Sequence, residues 1–135
     1  MTTNEGTSGF SPRRIRSHRD LIVWRKAIDL AIETYKLAGT LPAVERFVLK
    51  EQMLRASVSI PANIAEGHGR TSKGDYVRHL GIARGSLREL ETLLELARRL
   101  GYFEESALSR ATMLADEVGR MLWTLLEKLG ARRWG

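Results

Sequence analysis

Small and apolar residues recur along the chain in steps of three and four. Leu21, Trp24, Ile28, Ala31, Tyr35 and Ala38 form one such line. Tyr76, Leu80, Ala83, Leu87, Leu90, Leu94 and Ala97 form a second, and Ala107, Ala111, Leu114, Val118, Met121 and Leu125 a third. That stepping gathers each set on one side of an α-helix. A fourth helix runs through Leu49, Met53, Ala56 and Ile60. The breakers agree with the periodicity. Gly39 closes the first helix, and Pro42 stands where the next can begin, since a first-turn proline loses no needed hydrogen bond. Gly67 and Gly69 close the second, Ser72 with Asp75 resembles a capping box for the third, and Gly130 stops the fourth. The pattern predicts helices over 20–39, 43–66, 73–100 and 104–129, between a tail at 1–19 and another at 130–135. Connected by short loops, they make an all-α, up-down-up-down four-helix bundle whose third helix is about 42 Å long at about 1.5 Å per residue.

Two of these helices carry more apolar surface than one seam requires. Ile82, Leu93, Leu96 and Leu100 form a further stripe on the third, and Leu108, Ala115, Leu122 and Leu129 repeat at intervals of seven on the fourth. An amphipathic surface helix buries one face, so the surplus points to self-association, with a wide core face as the competing explanation.

The second helix has a proline in its interior. Pro61 has no N–H for the carbonyl of Ser57, and its ring crowds that carbonyl, which costs about 3 kcal/mol and bends the helix. Ser57, Ser59 and Asn63 have short polar side chains that bond nearby backbone and so compensate a bent turn. Arg55, Ser59, Asn63 and Glu66 share one side, a polar line that faces either solvent or a satisfied network. Gly81, Ala83, Gly85 and Ser86 lie mid-helix in the third element, where each glycine costs about 1 kcal/mol relative to alanine. Small residues there predict that the bent helix docks closely against this stretch.

At 135 residues and 43% hydrophobic composition, the chain fits one domain with a true core. Its lack of cysteine removes disulfides and thiolate metal sites. No apolar run approaches a membrane span and the N-terminus has no apolar signal core, so a cytoplasmic protein without membrane contact is expected. The net charge of +6 resides mostly in the tails. Arg13, Arg14, Arg16 and Arg19 against Glu5 give +3, and Arg132 with Arg133 give +2, which leaves +1 for the body. Within the body, Arg70, Lys73, Arg78, Arg84 and Arg88 against Asp75 give +4 over 67–88, whereas 89–117 sums to −4.

Arg70, Ser72 and Lys73 stand at a predicted helix N-terminus, where free N–H groups and the helix dipole favour phosphate. Arg84 and Arg88 extend that strip, although Glu91 and Glu95 lie within intrahelical reach of them. Arg13, Arg14, Arg16, Arg70, Lys73, Arg84, Arg88, Arg132 and Arg133 are therefore the candidate nucleic-acid contacts. No aromatic is interleaved with these bases, so the sequence supports no stacking platform.

The runs QMLRASVSIPANIAEG (52–67) and IARGSLRELE (82–91) are specific rather than generic helix. Together with LIVWRKAIDLAIETYKL near the start, they resemble the proteins named after the intervening sequences of bacterial 23S ribosomal RNA, over about residues 20–103. Pro61, Asn63, Glu66, Gly67, Gly85 and Ser86 are the signature positions of those runs. His79 stands where the family commonly has an aromatic. The resemblance implies a small cytosolic bundle assembled as a ring-shaped homopentamer, similar in build to the accessory proteins of diversity-generating retroelements, which bind nucleic acid and a reverse transcriptase. It supplies no catalytic residues.

The residues themselves give no chemistry either. The Glu-x-x-His pairs of di-iron bundles are missing, His18, His68 and His79 are scattered, and GHGRTSKGD lacks Walker A spacing and follows a helix instead of a strand. No enzyme, cofactor or metal is expected. Two functions remain: a nucleic-acid-binding accessory that grips RNA or DNA phosphate without reading sequence, or an assembly scaffold that recruits another protein with no nucleic-acid role.

Overall fold

The computed structural model describes residues 15–130. Within them the chain forms four helices and no strand: α1 (Ile22–Ala38), α2 (Leu49–His68), α3 (Lys73–Arg99) and α4 (Glu105–Lys128). A 3₁₀ turn at His18–Asp20 leads into α1. The side chain of Ser17 accepts from the Arg19 N–H, and the Asp20 carboxylate accepts from the backbone N–H groups of Arg16 and Ser17. Gly101 (φ +87°) and Gly130 (φ +84°) end α3 and α4 in the left-handed region, which glycine enters without the steric cost borne by other residues.

Neighbouring helices pack in the order α1–α2–α3–α4, and α1 closes against α4. The α2/α3 seam is the most extensive and the α3/α4 seam the slightest. Leu30, Met53, Ile60, Ile64, Leu80, Leu87, Leu90, Leu114 and Leu122 are fully enclosed between them.

The helical stepping on α3 is reproduced in the core from Leu80 to Ala97. On α1 the buried face is displaced from the expected one. Ala31 and Ala38 are buried as expected, but Val23, Ala27, Leu30, Thr34 and Leu37 are buried beside them, whereas Tyr35 is exposed. Thr34 hides this seam from a hydropathy pattern, because its hydroxyl donates to the Leu30 carbonyl at 2.8 Å and so enters the core already satisfied.

Two further expectations are corrected. The second stripe of α4 is not spare: Leu108, Ala115 and Leu122 are buried within the single chain, because α4 packs against both α1 and α3. Of the further stripe on α3, Leu93 is likewise buried, while Ile82, Leu96 and Leu100 remain exposed. The second helix also starts later than residue 43. Pro42 leads into a 3₁₀ turn at Ala43–Glu45, Val48 has non-helical backbone angles (φ −119°, ψ −90°), and α2 begins at Leu49. The turn is held across that end of the bundle by the Tyr102 hydroxyl, which donates to the Glu45 carboxylate at 2.8 Å. That bond, together with burial, holds the Tyr102 phenol above its usual range.

Pro61 is buried inside α2, and of the three polar residues around it Ser57 and Asn63 bond backbone as expected, while the Ser59 hydroxyl bonds side chains instead. The Ser57 hydroxyl donates to the Leu54 carbonyl at 2.9 Å, and the Asn63 amide donates to the Ser59 carbonyl at 2.9 Å.

Candidate nucleic-acid interface

The α2/α3 seam is stitched by a polar relay. Arginine has only donors, so the Arg78 guanidinium, 3.3 Å from His79 Nε2, makes that nitrogen the acceptor. Nδ1 of His79 then carries the proton and donates to Asn63 Oδ1 at 3.0 Å. Asn63 Nδ2 donates in turn to Ser59 Oγ at 3.1 Å, and Ser59 Oγ shares a hydrogen bond of 2.8 Å with Ser86 Oγ. Read from its sequence position, His79 is one of three scattered histidines. In the fold it is buried and central to this chain of bonds.

Close approach of the two helices occurs at Gly67 and not at the glycines of α3. A Cβ on Gly67 would lie 2.7 Å from the Cβ of His79 and 3.1 Å from Tyr76 Cδ1. Gly81 and Gly85 face open space, with no atom within 4 Å of a built Cβ. The expectation that Gly85 admits a neighbouring backbone is therefore corrected; Ser86 beside it makes the contact, through its hydroxyl. Burial in this packed corner raises the Tyr76 phenol above its usual range.

The basic candidates fall into three groups. Arg13, Arg14, Arg132 and Arg133 lie outside the described residues, while Arg16 is exposed beside the first turn. Arg70 is committed to Glu66, one turn back on α2, at 2.7 Å. Ser72 caps α3 by accepting from the Asp75 N–H at 3.0 Å, which uses one free donor and places a carboxylate in the first turn. The loop is thus a poorer anion site than its spacing predicts. Lys73 is exposed and has no acidic partner among the described residues.

Arg84 and Arg88 lie farther along α3, on the same face as Lys73 by way of Val77 and Gly81. Arg88 pairs with Glu91 at 2.7 Å. Arg84 does not join an acid. Its guanidinium carbon lies over the Trp123 ring of α4, 5.0 Å from the centroid, and its Nε is buried with no hydrogen-bond acceptor among the described residues. This corner opens into a groove of about 360 Å³ between α3 and α4, floored by Ala115 and Gly119 and bordered by Arg120, which is ion-paired with Asp116 on its own helix. The fold therefore supplies the aromatic that the sequence lacks beside its bases. No pattern along the chain could pair Trp123 with Arg84, because they meet only when α3 and α4 pack.

At the far end of α3 the arginines are paired. Arg98 and Arg99 both donate to Glu95, which holds that carboxyl down to about 2. His18 rests edge-on against Trp24 (4.9 Å between centroids) and His68 against Tyr76 (5.8 Å), each away from the groove.

Residues 19–124 match the 23S rRNA-intervening sequence protein family along nearly the whole bundle. The chain belongs to this family. The relay and the Gly67 contact described above lie within the matched span of this intervening-sequence protein. A solved structure of a protein of unknown function from the S23 ribosomal protein family of Bacteroides thetaiotaomicron is similar to it. The two are 28% identical with a TM-score of 0.73, and the likeness covers 78% of this chain and 98% of that one. No curated protein matches. Among the described residues, no helix of this family member is long and apolar enough to cross a membrane.

Proposed function

We propose that this chain is a non-catalytic accessory protein that self-assembles and holds the phosphate backbone of RNA or DNA without reading sequence. The observation that carries this reading is the strip formed by Lys73, Arg84 and Arg88 on one face of α3, of which Arg84 and Arg88 share a groove with Arg120 of α4. Phosphate contacts of this kind supply affinity without specificity. The sequence carries further arginines in its two tails, and the family's name, which refers to 23S ribosomal RNA, supports an RNA context. The expected result is that a fluorescein-labelled structured RNA and a matched duplex DNA both bind the full chain in an anisotropy titration. Affinity should fall steeply with salt, with a log–log slope of about −0.7 to −0.9 per phosphate contact. Residues 20–129 alone should bind more weakly. Absence of binding at low salt would retire this function.

A second reading, an assembly scaffold that recruits another protein, is favoured by the apolar residues left in solvent. Val44 and Phe47 are each 77% exposed, and Leu96 and Leu100 lie open on α3. Under either reading the chain assembles, in the form of a ring of five. Light scattering should return five times the 15.2 kDa chain mass. A monomer mass at micromolar concentration would remove the ring.

A further inference from the structure

We infer that the α3/α4 groove is a stacking subsite for one nucleotide of a single strand, the base lying against the Arg84–Trp123 pair and the phosphate held by the arginines that border it. This rests on the nucleic-acid reading above and assigns it a place.

Three observations converge on the groove. The first is an arginine with an unmet need. Arg84 Nε is buried and has no acceptor among the described residues, and the guanidinium is held by the indole and not by an acid, so its terminal nitrogens are left to meet an oxyanion. The second is the indole. Trp123 is half-buried and stands beside that guanidinium, so a flat ring and a cation with planar donors share one wall. Bases stack on such walls regardless of their identity, and arginine adds a cation–π contribution. The third is room with exchangeable charge around it. Ala115 and Gly119 leave a floor without bulk, and the volume of about 360 Å³ falls within the range of small-ligand sites. Arg88 and Arg120 are tied only to Glu91 and Asp116 on their own helices, as solvent-exposed pairs. Such pairs contribute little and yield to a phosphate that offers better geometry.

The ligand is specified by the combination. A carboxylate of an acidic peptide would satisfy Arg84 but leave the indole unused, whereas a nucleotide of an unpaired strand offers an anion and an aromatic plane together. A duplex keeps its bases stacked internally, so it can use only the cations. The groove therefore distinguishes single strands from duplexes, which backbone contacts alone do not.

The test is an anisotropy titration of the full-length chain with a fluorescein-labelled single-stranded RNA and with an RNA duplex of the same length. Arg84→Gln is expected to weaken single-strand binding about tenfold and to make the salt dependence shallower by about one phosphate contact. Trp123→Leu is expected to weaken the single strand about tenfold, in line with the loss of one stacked base, and the duplex by less than about twofold. Trp123→Phe keeps a ring and should retain most of the affinity, which covers the case in which the leucine variant fails to fold. Single-strand affinities of Arg84→Gln and Trp123→Phe that match the unaltered chain, with Trp123→Leu also unchanged, would overturn the subsite and leave the nucleic-acid reading standing. Equal losses on single strand and duplex for the folded Trp123 variants would overturn it as well. Failure of the unaltered chain to bind either RNA would remove the nucleic-acid reading and the subsite together. Displacement of the single strand by a polyglutamate peptide as readily as by unlabelled RNA would reassign the groove to an acidic protein partner.

Discussion

Alanine at Gly67 is expected to destabilise the bundle by about 2 kcal/mol, whereas alanine at Gly81 or Gly85 should stabilise it by up to about 1 kcal/mol each. All three glycines sit inside helices, where replacing glycine by alanine removes backbone entropy from the unfolded chain and favours the helix. What separates them is the space around the missing Cβ. At Gly67 the added carbon would press on the Cβ of His79, which is part of the α3 framework and cannot swing away like a side-chain tip. Relief requires α2 and α3 to separate, and that strains the His79–Asn63 hydrogen bond. Overpacking of this kind costs about 1–3 kcal/mol and outweighs the gain in helix propensity. At Gly81 and Gly85 nothing lies near the built Cβ, so only the propensity gain remains. Urea unfolding checks the series: the midpoint should fall for Gly67→Ala and rise for the other two. A rise at all three positions would mean that the α2/α3 contact accommodates a methyl group without loss. A fall at Gly81 or Gly85 would show that those positions are covered in the assembled protein.

Replacing Asn63 by aspartate should cost about 2–3 kcal/mol at neutral pH, although the two side chains have the same shape. The relay has a direction, from Arg78 through His79 and Asn63 to the serines, because each group donates to the next. Aspartate keeps the acceptor for His79 Nδ1–H but substitutes an oxygen for the amide that donates to the Ser59 carbonyl. Two acceptors then face each other in a half-buried site, and a charge must be held where only a dipole was satisfied. Ser86→Ala removes the far end of the relay and leaves the amide bonds intact, so its cost should stay below about 1 kcal/mol. The comparison is made by denaturant unfolding of both variants against the parent. Equal losses would show that the relay acts as separate contacts and that Asn63 is not its centre.

The fold was legible wherever hydrophobic stepping ran between strongly polar flanks. From Leu80 to Ala97 every expected seam residue is buried, since Arg, Glu and Gly fill the opposite face. Legibility failed where a polar residue entered the core with its own local bond, as Thr34 does, and where a helix faced two neighbours at once, as α4 does with Leu108, Ala115 and Leu122. Val44, Phe47 and Val48 look like the first turn of a helix by composition. They are exposed because a 3₁₀ turn precedes α2 and Tyr102, distant in the chain, anchors it. The candidate site was half legible. Arg84 and Arg88 were visible as charge, Asn63 as a small polar residue beside a proline, and Ser86 as part of the small-residue stretch of α3. That Arg88 meets its expected acid while Arg84 turns to Trp123 depends on packing between α3 and α4, and one-dimensional spacing carries no information about it.

The order of the helices around the bundle also distributes the entropy of folding unevenly. Three of the four seams join helices that follow one another along the chain through short connections, so bringing their partners together closes only small loops. The α1/α4 seam alone must draw the two ends of the bundle to one another across the whole intervening chain, and loop-closure entropy rises with the logarithm of that length. Among the described residues, two ion pairs that bridge different helices lie on that same seam: Lys26 Nζ is 3.0 Å from Glu117 Oε1, close but not aligned as a hydrogen bond, and Arg110 Nε is 3.5 Å from Glu33. The long-range attraction of this bundle is therefore concentrated at the step with the largest search, while the local seams assemble on hydrogen bonds and apolar contact.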